Sequence, residues 1–275
     1  MVIIGLREFK KVRDIIYSKT GIYIPESKVY FLKKRIENRL KELELQSAED
    51  YIKYLHFFDK TGREVQSLIN LVTVNETYFF REFPQLQAFA EHCLLEVAGR
   101  APHKKIEILS AGCSTGEEPY TLSIILMEML DSARNFEITA IDIDENALEK
   151  AKKGIYNERS VKDVPKIYLE KYFDVLKSGY AVKPVVKKNV KFKKVNLFDA
   201  RSLSMLGKGF DFIFCRNVLI YFSDDSRRKV VESFYNMMVP GGYIFLGHSE
   251  SVSRITTAFR IKRAGDFIVY QKPLE

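Results

Sequence analysis

Apolar residues recur at helical spacing over residues 6–72. Leu6, Phe9, Val12, Ile15 and Ile16 form one stripe, Val29, Leu32, Ile36, Leu40 and Leu43 a second, and Val65, Leu68, Ile69 and Val72 a third. Between them, Ser47-Ala48-Glu49-Asp50 precedes Tyr51, Ile52 and Leu55, which predicts a helix start with Ser47 at the N-cap and an acid three positions on. After Gly99-Arg100-Ala101-Pro102 the texture changes. Ile106–Leu109, Phe136–Ile141, Val190–Val195, Phe210–Cys215 and Tyr243–Leu246 are short β-rich runs, mostly separated by helical stretches. This alternation predicts an α/β fold with a parallel, doubly wound sheet. Phe259–Lys262 and Phe267–Tyr270, turning about Ala264-Gly265-Asp266, predict an antiparallel hairpin on its edge. The interval from Asp144 to Asn189 is long for one crossover. It reads as a helix over Asn146–Lys153, a helical patch near Pro165–Phe173, and Gly179–Val182 followed by Val185-Val186 as a small β insertion.

Composition adds limits. With 46% hydrophobic and 29% charged residues, the 275-residue chain is globular and neither disordered nor collagen-like. No apolar run approaches the ~20 residues a membrane helix needs. The start, Met1–Arg7, opens with an unbroken run of four apolar residues, fewer than a signal-peptide core requires, so a cytoplasmic protein is expected. Cys93, Cys113 and Cys215 are widely spaced, with no CxxC pair and no histidine at ligand spacing, so they read as small buried hydrophobes and no metal site is expected. The 44 Lys+Arg against 36 Asp+Glu give a net charge of +8, which suits an acidic partner. Two basic runs stand out: Lys28, Lys33, Lys34, Arg35, Arg39 and Lys41 against the single acid Glu37, and Lys183, Lys187, Lys188, Lys191, Lys193 and Lys194 after the insertion.

The chemistry concentrates in Ile108-Leu109-Ser110-Ala111-Gly112-Cys113-Ser114-Thr115-Gly116-Glu117-Glu118-Pro119-Tyr120, a strand turning into a helix. Small residues at 110, 112, 114 and 116 let the backbone approach a ligand. A phosphate is the wrong ligand. Ser114 and Glu117 stand where a dinucleotide fingerprint has its second and third glycines, and there is no Gly-Lys-Ser/Thr. Glu117 and Glu118 at the helix N-terminus would repel a pyrophosphate and attract a cation. S-adenosylmethionine carries a sulfonium and an ammonium and no phosphate, so it fits; the alternative is that the two acids only complement the helix dipole. The second strand ends in Asp142-Ile143-Asp144, where one acid suits the ribose hydroxyls and the other the cap of the following helix; Asp142, nearer the strand end, is assigned to ribose. Arg216-Asn217 lies at the exit of the Phe210–Cys215 strand, where open α/β sheets bind ligands. The bland reading of Arg216 is an ion pair with Asp211 or Asp224, of Tyr221 a packed aromatic, and of His248 a hydrogen-bonding residue after the next strand.

Five segments together resemble the CheR-type chemotaxis receptor methyltransferases: Asn75-Glu76-Thr77-Tyr78-Phe79-Phe80-Arg81-Glu82, Ser114–Tyr120, Asp142-Ile143-Asp144, Phe214–Phe222 and Gly247-His248-Ser249-Glu250. The resemblance spans nearly the whole chain. It implies a class I S-adenosylmethionine-dependent methyltransferase fold that esterifies glutamate side chains of chemoreceptors, leaving S-adenosylhomocysteine. It further implies a helical receptor-recognition domain over 1–75, a linker and helix contributing to the active site over 76–100, and a methyltransferase domain over 101–275 with a β insertion at about 173–189. Carried onto matching positions, it assigns Asn75, Thr77 and Arg81 to the cofactor and active-site wall, with Arg81 also facing the substrate carboxylate. It gives Glu117 or Glu118 the cofactor's amino group, Asp142 the ribose and Asn196-Leu197 the adenine. Gly112 belongs to the cofactor loop, Arg216-Asn217 lies beside the cofactor, and Tyr221 matches an active-site tyrosine. The receptors would be acidic helical bundles met by the basic helix Lys28–Lys41, recruiting the enzyme to the membrane through protein contacts, and in some relatives the insertion binds a receptor tether peptide by strand addition. Nothing in the chain calls for a dimer. Two other readings are a nucleic-acid methyltransferase, suggested by the basic charge but lacking an NPPY- or DPPY-like segment at Cys215-Arg216-Asn217-Val218, and a non-catalytic cofactor-sensing module.

Overall fold

The structure, a computed structural model, describes residues 5–131 and 135–275; the apolar start read at residues 1–4 lies outside them. Two units emerge. The first comprises the described residues up to Val74 together with Tyr221–Ser226, and the second comprises Asn75–Ile220 and Arg227–Glu275.

In the first unit, helices run over Leu6–Thr20, Val29–Glu42, Ala48–Lys53 and Arg63–Val72. The three stripes meet in one core that includes Phe9, Val12, Ile16, Leu32, Ile36, Leu40, Tyr51 and Leu68. Leu6 is the exception: at the first turn it remains exposed. Ser47 caps its helix, accepting from the Asp50 N–H at 3.1 Å, while its hydroxyl donates to the Asp50 carboxylate at 2.7 Å. Glu64, 5% exposed, accepts from Arg39 Nε and Nη2 at 2.8 and 2.6 Å and from the Tyr51 hydroxyl at 2.6 Å. Arg35 donates to the carbonyls of Leu71 and Phe31. Two of the six cations in the first basic run therefore hold the unit together, and Lys28, Lys34 and Lys41 remain exposed. The returning segment joins this unit through the Tyr23 N–H, which donates to the Tyr221 carbonyl at 2.8 Å, and through a bridge between Ile22 and Phe222.

Among the described residues the second unit holds ten strands: β1 (Ile106–Ala111), β2 (Phe136–Asp142), β3 (Ile155–Tyr156), β4 (Phe173–Leu176), β5 (Gly179–Val182), β6 (Val190–Lys194), β7 (Phe210–Cys215), β8 (Met238–Leu246), β9 (Arg260–Ala264) and β10 (Phe267–Gln271). Seven form one sheet in the order β6-β2-β1-β7-β8-β10-β9, parallel through β8, with β10 antiparallel to both neighbours. This is the doubly wound sheet with an antiparallel hairpin at its edge. Its strand order reverses between β1 and β7, which opens a crevice at their carboxyl ends. Register sets the core: Phe214 pairs with Phe245 and the rings stack at 4.6 Å, while Phe89 sits edge-on to Phe212, Phe214 and Phe245. All three cysteines are free and buried.

The insertion differs in detail from its sequence reading. A three-stranded sheet in the order β3-β5-β4 forms, but Val185-Val186 lie in a short helix, Pro184–Lys187. Pro184 at its first position explains the switch, since proline has the φ of a first helical turn and no N–H to give a strand ladder. Among the described residues, no helix is long and apolar enough to cross a membrane.

Candidate functional site

β1 ends at Ala111 and the chain turns through Gly112, Ser114 and Gly116, all at positive φ, before the helix Glu117–Met129. A Cβ on Gly112 would lie 2.4 Å from Val218 Cγ2, and one on Gly116 would lie 2.8 Å from Ala151 Cβ, so these positions exclude larger residues. Asp142, at the end of β2, fixes the turn: its two oxygens accept from the Ser114 N–H at 2.7 Å and the Asp144 N–H at 2.9 Å. Asp144 instead caps the helix Glu145–Lys153, accepting from the Ala147 N–H at 3.1 Å. Asn75 spans both, donating to Asp144 at 2.8 Å and accepting from the Ser114 hydroxyl at 2.7 Å. β6 ends beside this group, where the Val195 N–H donates to the Asp142 carbonyl at 3.0 Å. Asn196 follows, its side chain accepting from the Phe198 N–H, and Leu197 is buried.

The two glutamates of the loop have different surroundings. Glu117 accepts from the hydroxyls of Thr115 at 2.6 Å and Ser160 at 3.1 Å. Glu118 accepts from the Ser110 hydroxyl at 2.7 Å and lies 3.4 Å from Arg216, between the ends of β1 and β7. The Arg216 guanidinium also reaches Glu82 at 3.3 Å and donates to the Arg81 carbonyl. The expected partner Asp211 is engaged elsewhere, accepting from Lys104 at 2.9 Å and the Glu107 N–H at 3.0 Å. Arg81 donates to the Glu76 carbonyl at 2.6 Å across a tight turn in which Phe80 and Glu82 both adopt positive φ. Thr77, in the same turn, is half-buried.

Burial pushes the carboxyls of Glu117, Glu118 and Asp142 above their usual range; for Glu118, Arg216 pulls partly back. The donor set thus offers two buried carboxylates, Glu117 and Asp142, and the part-buried Glu118 against one buried guanidinium, an arrangement that a cation relieves and a phosphate aggravates. Arg216 Nε and Asn217 Oδ1 are buried without partners among the described residues, so polar capacity remains at the end of β7. These features fit S-adenosylmethionine.

Asn75, Gly112, Asp142, Asn196 and Leu197 gather along one side of the β1 turn, and Arg81, Glu118, Arg216 and Asn217 at the ends of β1 and β7. Tyr221 belongs to the helical unit. His248 is exposed and has no hydrogen bond among the described residues; the acceptor after β8 is Glu250, whose role sequence reasoning did not assign. Ser110, Glu82 and Ser160 also escaped it. Glu82 ended a motif already singled out, whereas nothing local marks Ser160, which reaches Glu117 from 43 residues away.

Comparison with known proteins agrees with this geometry. Residues 7–73 match the family profile described as CheR methyltransferase, all-alpha domain, and residues 75–267 the one described as CheR methyltransferase, SAM binding domain. Chemotaxis protein methyltransferase 2 of Vibrio cholerae is 44% identical over 275 residues, covering 99% of this chain and 95% of that protein. The chemotaxis protein methyltransferase of Borreliella burgdorferi is 34% identical, covering 89% and 88%, and that of Escherichia coli 32% identical, covering 92% and 87%. With both profiles matched in order across almost its whole length, the chain belongs to the CheR methyltransferase family.

Proposed function

We propose that this S-adenosylmethionine-dependent methyltransferase esterifies glutamate side chains of methyl-accepting chemoreceptors. The observation that carries the reading is the excess of buried carboxylate at the ends of β1 and β2, together with relatives that are named chemotaxis protein methyltransferases. S-adenosylmethionine supplies, when bound, a methyl group made electrophilic by its sulfonium.

The protein's own residues bind and orient. Asp142 holds the Ser114 N–H on one oxygen and the Asp144 N–H on the other, with the Ile143 N–H beside them, and its remaining lone-pair capacity would receive the ribose hydroxyls. Glu117 or Glu118 takes the amino group: Glu118 holds the Ser110 hydroxyl and the Arg216 guanidinium, and Glu117 the hydroxyls of Thr115 and Ser160. Asn75 and Thr77 form the wall, and Asn196 with Leu197 receives the adenine. A substrate glutamate, with an ordinary pKa of about 4.3, is already an anionic nucleophile at neutral pH, so no general base is needed. The remaining task is alignment. Arg81 offers a planar fork to the carboxylate. Receptor bundles rich in acid would meet the exposed cations Lys28, Lys34 and Lys41.

The test is transfer of labelled methyl from S-adenosylmethionine to a purified chemoreceptor cytoplasmic fragment, with an RNA pool in parallel. Label on the receptor alone is expected; label on RNA alone would overturn the reading.

A further inference from the structure

Glu250 lies beyond β8, and its carboxylate gathers three backbone N–H groups from two strand exits. Oε2 accepts from Asn217 at 2.8 Å and from Gly247 at 2.7 Å, and Oε1 accepts from Ile220 at 3.0 Å. Asn217 is held at φ 58°, a left-handed conformation that costs a non-glycine residue free energy unless its surroundings impose it. The same residue carries the buried, unpartnered Oδ1, and the residue before it, Arg216, bridges Glu82 and Glu118. The clamp is tightly fitted. A Cβ on Gly247 would lie 2.7 Å from both Asn217 N and Nδ2 and 2.9 Å from Glu250 Oε2.

We infer that Glu250 is a positioning residue for cofactor binding: its carboxylate fixes the Arg216-Asn217 pair at the end of β7 in the conformation that receives S-adenosylmethionine. It acts through those residues without touching the ligand. The inference rests on the methyltransferase reading only for the identity of the cofactor, so its readout is cofactor affinity, which does not depend on which protein accepts the methyl.

The experiment measures S-adenosylmethionine affinity by calorimetry on the full chain, with folding checked by circular dichroism, for Glu250→Ala, Glu250→Gln and Gly247→Ala. Glu250→Ala frees all three N–H groups and weakens binding about 10-fold or more, because charged acceptors of backbone N–H groups are strong and positional errors are amplified at a preorganised site. Glu250→Gln keeps one oxygen for Asn217 and Gly247 and loses about threefold. Gly247→Ala leaves the charge in place but pushes the clamp apart, and weakens binding at least about threefold. Folded variants that all bind within twofold of wild type would make the clamp purely structural and overturn the inference. So would equal losses in Glu250→Ala and Glu250→Gln with none in Gly247→Ala, since long-range charge would then be the cause. If Glu250→Ala does not fold, the other two variants decide. A wild-type protein that binds the cofactor but labels no receptor refutes the substrate reading and leaves this test intact.

Discussion

Asp142→Asn is the substitution whose effect follows most directly from geometry. The carboxylate is 9% exposed, and its two oxygens each hold one backbone N–H, from Ser114 and from Asp144. An amide of the same shape keeps one oxygen and turns an NH2 donor toward the other N–H, so one charge-assisted bond is lost and two donors face each other. Such a bond contributes about 1.5–3 kcal/mol, and the orphaned N–H adds a cost of similar size in a buried setting. Part of this is offset in the free protein, because burial already disfavours the charged carboxylate. The cofactor complex has no such relief, since the substituted oxygen is also lost as an acceptor for a ribose hydroxyl. A net loss of about 2–3 kcal/mol in binding corresponds to a dissociation constant about 30- to 150-fold higher. Calorimetric titration of S-adenosylmethionine at pH 7 measures it, with thermal unfolding run on the same samples. A folded Asp142→Asn protein whose affinity lies within about threefold of wild type would remove Asp142 from the ribose site.

Three further outcomes are expected. Glu117, Glu118 and Asp142 have folded pKa values raised by burial, so in the cofactor-free protein they hold protons that the unfolded chain has released; stability falls as pH rises from the ordinary carboxylate range of about 4 through the raised values. A cation favours the ionised forms, so S-adenosylmethionine affinity rises with pH over the same window with proton release, and an affinity that is flat or falling in calorimetry as pH rises from the ordinary carboxylate range of about 4 would contradict the charge argument. In the helical unit, Glu64→Ala strands Arg39 and Tyr51 and lowers stability by about 3 kcal/mol in urea unfolding; a loss under about 1 kcal/mol, the range of an exposed pair, would show that the cluster is not buried in solution. Arg81→Ala lowers both receptor affinity and turnover; unchanged steady-state kinetics would remove it from the alignment of the carboxylate.

Much of the architecture was legible because its signals are local and repeated. The strand Phe210–Cys215 appears with the bounds its apolar run predicts, and Ser47 and Asp144 cap the helices they precede. What was not legible depends on distant pairings. β3 is two residues long and has no periodicity to read; it exists because Ile155 and Tyr156 pair with Ala181 and Tyr180. Val185-Val186 looked like a strand because both are β-branched, and the proline before them overrides that preference. Of the two partners the bland reading offered Arg216, Asp211 or Asp224, Asp211 on a fully buried strand instead accepts from Lys104 and the Glu107 N–H, and Arg216 pairs with Glu82 and Glu118. Charge sign at the β1 turn identified the cofactor class. Only the fold separates the surroundings of Glu117 from those of Glu118.

The central claim, that the acceptor is a glutamate carboxylate, is tested most directly by the chemistry of the product. A receptor fragment labelled with S-adenosylmethionine carrying a radioactive methyl group is treated with mild alkali, beside a fragment whose candidate glutamates are replaced by alanine. Volatile label released as methanol from the native fragment, and none incorporated into the replaced one, is the expected result. Alkali-stable label on either fragment would contradict ester formation.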